Sequence, residues 1–170
     1  MISKLIINDV EMNIGVKFLE DIASSIPDTE SNQVIFNELA KSKSASVRGY
    51  IAYKDKLSEE TAKLLLTDKD SEVLSNLLRN DVVQSVATDE DIEHMINTLT
   101  EEYLVNLIGY LDDYRNIDLD LHLENLLSLN SPVINYAIAD NRNMPNKILR
   151  KLSKNEDPDV SNTAKESLDY

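Results

Sequence analysis

The chain has 170 residues, with 31 Asp and Glu against 17 Lys and Arg, a formal charge of -14, and neither cysteine nor tryptophan. The lack of cysteine excludes disulfides, zinc thiolate sites and iron–sulfur clusters, and the acidic balance opposes binding to phosphate backbones, which needs basic clusters. No apolar run approaches the ~18 residues of a membrane span, the short apolar stretch after Met1 does not make a secretory signal, and a reducing cytoplasm is the expected compartment.

In chain order, residues 9–24 come first, with Ile14, Phe18, Leu19 and Ile22 at helical spacing. They keep no register with the rest of the chain and are expected to form an N-terminal capping helix within residues 1–30. Beyond residue 30 a column recurs: Val47, Val73, Tyr103, Val133 and Val160, spaced by 26, 30, 30 and 27. Four residues after each stands Ile51, Leu77, Leu107, Ala137 or Ala164. A helical stripe repeated at that distance is the pattern of stacked helix pairs, each covering the apolar flank its neighbour cannot bury. Caps set the boundaries. Ser58 precedes Glu59-Glu60, and Ser131-Pro132 and Asp157-Pro158 place a capping residue before a proline at the first helical position. The pairs are expected at about 31–41 with 44–54, 58–67 with 70–80, 89–99 with 101–112, 118–128 with 131–140, and 145–154 with 158–168. The fold class is all-α, with no sheet, as one repeat domain over residues 1–170.

Val47-Arg48-x-x-Ile51-Ala52, then Leu57-Ser58 and Asp68-x-Asp70-x-x-Val73, resembles the HEAT-like α-solenoid repeats, most of all their leucine-rich repeat variant subgroup. Val133, Ala137-Ile138, Met144-Pro145, Ile148-Leu149, Leu152 and Asp157-Pro158-Asp159-Val160 repeat the pattern. The subgroup's cysteine-rich iron–sulfur segment has no counterpart, so no cofactor is implied. The arginine that such repeats place after the valine is present only as Arg48. The resemblance implies that the second helix of each pair lines a concave, partner-binding face. Counting two, three, six and seven residues from the column puts Gly49, Tyr50, Tyr53, Lys54, Ser75, Asn76, Arg79 and Asn80 on it. Val105, Asn106, Gly109 and Tyr110 come next, then Asn135, Tyr136, Ala139 and Asp140, and last Asn162, Thr163, Glu166 and Ser167. The strip carries Tyr and Arg, which are favoured at protein interfaces.

Acidic clusters at Glu59-Glu60, Asp89-Glu90-Asp91 and Glu101-Glu102 fall at predicted helix N-termini, where the dipole accounts for them. Asp112-Asp113 falls at a C-terminus and is read instead as steering a basic partner. His94 and His122 lack metal-ligand spacing and are expected to be solvated. Three glycines form no phosphate-cradling loop, and no strained elbow surrounds a nucleophile. The chain resembles HEAT-like DNA-base excision enzymes in helix organisation alone. The function expected is a non-catalytic adaptor or inhibitor acting on a protein partner that is basic at the contact. Tyr50, Asn76, Arg79, Asn106, Tyr110, Asn135, Tyr136 and Asp140 are its contact residues, and no metal, cofactor, nucleic acid or membrane is involved. With the Asn, Ile and Lys of an AT-rich bacterial or phage genome, an immunity protein against a basic nuclease, or a DNA mimic, also fits. A repeat-scaffold enzyme, or a regulatory subunit of one, is the alternative.

Overall fold

The structure is a computed structural model that describes residues 3–7 and 9–169. It is 67% helical. Among the described residues the order is β1 (Ser3–Ile7), β2 (Val10–Ile14), α1 (Val16–Ser25), α2 (Gln33–Leu39), α3 (Ala45–Ala52), α4 (Glu59–Leu66), α5 (Ser71–Leu77), α6 (Asp81–Val86), α7 (Asp89–Thr98), α8 (Glu101–Tyr110), α9 (Leu119–Ser128), α10 (Pro132–Asp140), α11 (Asn146–Leu152) and α12 (Pro158–Leu168). The ten helices of the expected pairs start within two residues of the positions read from the caps.

Local chemistry explains those starts. The side chains of Ser58, Asp70, Asp118, Ser131 and Asp157 each accept a hydrogen bond from a first-turn N–H of the helix they cap, satisfying donors that have no partner within the helix. Thr88 and Asp91 form a reciprocal capping box on α7. Glu59-Glu60, Asp89-Glu90-Asp91 and Glu101-Glu102 all lie in first turns. Asn130, just past α9, adopts φ 54°, the left-handed stop that asparagine tolerates better than most residues.

Two departures stand out at the N-terminal side. β1 and β2 form an antiparallel hairpin, pairing Ile7 with Val10 and Lys4 with Asn13, where the sequence predicts no sheet and a capping helix from residue 9. Asp9 takes φ 65°, the left-handed conformation that tight hairpin turns matching the strand twist require. The capping helix is confined to α1. The short α6, also unexpected, occupies part of the longer spacing between Val73 and Tyr103.

The chain divides into two compact units, residues 1–83 and 84–170. In the first, α3 packs on α1 on one side and on α5 on the other, while α2 packs on α4. In the second, α10 packs between α8 and α12, and α7 packs on α9. Second helices therefore touch second helices within each unit. The core follows the column: Val47, Ile51, Val73, Leu77, Leu107, Val160 and Ala164 are buried. In α10 the column is shifted by one residue. Ile134, Ile138 and Ala139 are fully buried, whereas Val133 is 51% exposed.

Arg48 has a structural role. Its Nε and Nη2 donate to the two carboxylate oxygens of Asp68 at 2.6 and 2.9 Å, and Nη1 donates to the Ser42 carbonyl at 2.9 Å. One side chain thereby ties α3 to the turn before it and to the α4–α5 turn. Burial alone would push the Asp68 carboxyl up, but the Arg48 bonds, with the Asp70 N–H, hold it below the usual carboxylate range.

Candidate functional site

In the first unit four residues of the expected strip, Gly49, Tyr50, Tyr53 and Asn76, line a groove of about 390 Å³. On α3 and its C-cap, Ala45, Ser46, Gly49, Tyr50 and Tyr53 share one face by helical spacing, and Glu72 and Asn76 of α5 close the other wall. Gly49 has no side chain to occupy the floor, and Asn76 Nδ2 donates to its carbonyl at 3.3 Å. A Cβ on Gly49 would lie 3.6 Å from that nitrogen, an ordinary contact, so alanine fits there. Tyr50 is 43% exposed, and Tyr53 is also exposed. The Arg79 guanidinium lies 4.2 Å from the Tyr53 ring centroid and 4.0 Å from Asp55 Oδ1.

In the second unit Asn106 and Tyr110 are exposed on α8, and Tyr136 (45%) and Asp140 on α10. Asp140 joins Thr163, Glu166 and Ser167 of α12, with Arg142 and Asp169, around a polar groove of about 290 Å³. Asn135 does not lie with them. The one-residue shift in α10 turns it towards Glu124, Leu127, Asn130 and Lys151, around a different groove of about 330 Å³, and its Oδ1 is buried without a partner. The same shift buries Ala139. Asp112 is only partly exposed and accepts a hydrogen bond from Asn143 Nδ2 at 2.8 Å, whereas Asp113 is exposed. Burial, with the Asp113 charge beside it, pushes the Tyr114 hydroxyl up.

Asn80 and Ser167 of the strip, and Asn141 just after Asp140, bond to the backbone of the neighbouring helix pair. Asn80 Nδ2 donates to the Lys54 carbonyl at 2.8 Å, Asn141 Nδ2 to Ile108 at 3.0 Å, and Ser167 Oγ to Ala139 at 2.7 Å. Each stands seven residues after a buried column residue, Val73, Ile134 or Val160. Each reaches a carbonyl at or near the C-terminus of the preceding second helix, where the helix itself leaves acceptors open. Asn80 also accepts from the N–H groups of Val82 and Val83 at 3.0 and 3.2 Å, capping α6. It is buried, not outward-facing. Asn80→Ala is expected to cost about 1–3 kcal/mol by leaving these buried backbone groups unpaired, against within about 0.5 kcal/mol for the exposed Asn106→Ala. Urea melts of the two variants measure the difference.

His122 departs from its expected solvation. It is 1% exposed, and its Nε2 donates to Asp89 Oδ1 at 2.8 Å, while Nδ1 is buried without a partner. The Asp118 N–H, followed by His122, holds the Asp89 carboxyl below its usual range. The imidazole thus joins the start of α7 to α9, a link between turns that periodicity did not signal. Both lysines of α11 are paired with α9 carboxylates: Lys147 meets Asp120 at 3.7 Å, and Lys151 bonds Glu124. Among the described residues no three His, Asp or Glu side chains are placed to hold a metal ion, and no helix is long and apolar enough to cross a membrane.

No protein-family model matches the chain, and no curated protein matches it in sequence. The geometry on its own defines a mostly helical protein, built of packed helix pairs, with an aromatic groove in its first unit.

Proposed function

We propose that the chain is a non-catalytic, cytoplasmic, HEAT-like α-solenoid that binds a protein partner, basic at the contact, through the exposed faces of its second helices. The observation that carries this reading is the α3–α5 groove. Exposed tyrosines supply large contact area at low entropic cost, and they stand on helices already fixed by the Arg48–Asp68 clamp and the Asn76 and Asn80 bonds. The pairing of the α11 lysines with α9 carboxylates and the charge of -14 favour a basic protein over a phosphate backbone. An immunity protein or DNA mimic is the narrower form of the same reading.

Affinity capture, identification of the bound protein and kinetic measurement at several salt concentrations test it. Association is expected to slow as salt rises, because the Debye length shrinks to about 8 Å at 0.15 M and steering weakens with it. Tyr50→Ala or Tyr136→Ala is expected to weaken binding by up to about 2 kcal/mol or more without moving the melting curve. Charge reversal at Asp113, which is more exposed than Asp112, should act mainly on the association rate. Salt-independent association, or tight binding to a duplex by this chain alone, overturns the proposal.

A further inference from the structure

Deepening the protein-binding reading and resting on it, we infer that the α3–α5 groove is a receptor for an arginine side chain of the partner. Three features converge there. The groove is lined by two exposed tyrosines, whose ring faces attract a cation. Glu72 lines the same groove and forms no ion pair among the described residues, whereas Lys17 pairs with Asp21 at 3.1 Å and Arg79 with Asp55 at 4.0 Å. The volume of about 390 Å³ is open at Gly49, where any larger side chain would narrow it. The ring of Tyr53 already accepts a guanidinium, that of Arg79, at 4.2 Å, and Arg79 itself stands outside the groove lining. A planar guanidinium can stack on a ring while its N–H fork faces a carboxylate, and a lysine ammonium cannot do both. The net charge of -14 favours any cation, but the aromatic faces select the flat one.

The test titrates the isotopically labelled protein with a tetra-arginine peptide, with tetra-citrulline as the neutral isostere and tetra-lysine as the point-charge control, at 0.15 M salt. The expected result is a saturable shift of the Gly49 and Asn76 amides and of the Tyr50 and Tyr53 ring protons with arginine, a weaker one with lysine and none with citrulline. Tyr50→Leu and Glu72→Gln are each expected to weaken the arginine peptide roughly three- to thirty-fold. Tyr50→Phe, which keeps the ring, should retain binding, and so should Glu59→Gln, which removes the same charge from the first turn of α4. If shifts spread over the acidic surface and Glu72→Gln behaves as Glu59→Gln does, the groove assignment is overturned while the basic-partner reading stands. If the arginine peptide produces no shift anywhere, both fall together. Melting curves on each variant separate lost binding from lost folding.

Discussion

Ile134→Ala is expected to lower the unfolding free energy by about 2–5 kcal/mol, the range for emptying a fully buried aliphatic site, while Val133→Ala beside it costs well under 1 kcal/mol. The two side chains are adjacent in sequence and similar in chemistry, but Ile134 is fully buried and Val133 is 51% exposed. Leu77→Ala and Leu107→Ala belong with Ile134, since both leucines are fully buried. Denaturant melts of the four variants report the phase of α10 directly. A larger loss at Val133 than at Ile134 restores the valine column and returns Asn135 to the strip.

Removing Arg48 is the second large effect. An exposed ion pair contributes about 0–1 kcal/mol, whereas breaking a buried one costs about 3–5 kcal/mol because the remaining charge is stranded. The Arg48 and Asp68 side chains are 18% and 6% exposed, so Arg48→Ala belongs nearer the second figure. Arg48→Lys is expected to recover only part of the loss, since an ammonium cannot make both carboxylate bonds and the Ser42 bond in the same plane. The pH dependence has a definite sign. The folded state holds the Asp68 carboxyl below its ordinary value of 3.8, so the unfolded chain takes up its proton first as pH falls. The clamp's stability is present above about pH 4 and drains away below it as the folded carboxyl titrates. Arg48→Ala should flatten that part of the stability profile, and a wild-type-like acid limb in the variant shows that other carboxylates dominate it.

Helix positions were legible because they rest on local interactions. A serine or aspartate whose oxygen meets an N–H two or three residues on, a proline at the first helical position and acidic first turns all act within one turn of chain. They placed α4, α5, α7 to α10 and α12 without reference to any neighbour. The phase of α10 was legible too, by a different count. Val47, Val73, Tyr103 and Val160 each lie three residues after the N-cap of their helix, and three residues after Ser131 stands Ile134. Residue likeness favoured Val133, but the cap sets which residue faces inward. The hairpin was not legible, because Ile14, Phe18, Leu19 and Ile22 also satisfy a helical period and outweigh the short Asn-Asp turn signal before them.

By itself, then, the sequence determined a mostly helical chain, the positions of its ten paired helices and most of the buried column, since these depend on period 3.6 and on capping within one turn. Only the tertiary structure decided which polar side chains stay open to a partner. Asn76, Asn80, Asn141 and Ser167 read in one dimension as open polar residues, yet each is committed to a carbonyl in or just past another helix. His122 is buried against a carboxylate 33 residues away in sequence, and Glu72 lines a groove with two tyrosines and forms no ion pair among the described residues. Amphipathic spacing assigns a residue to a face. Whether that face carries a bond or a groove depends on the distance to the next helix, and that distance is set by packing between segments far apart in the chain.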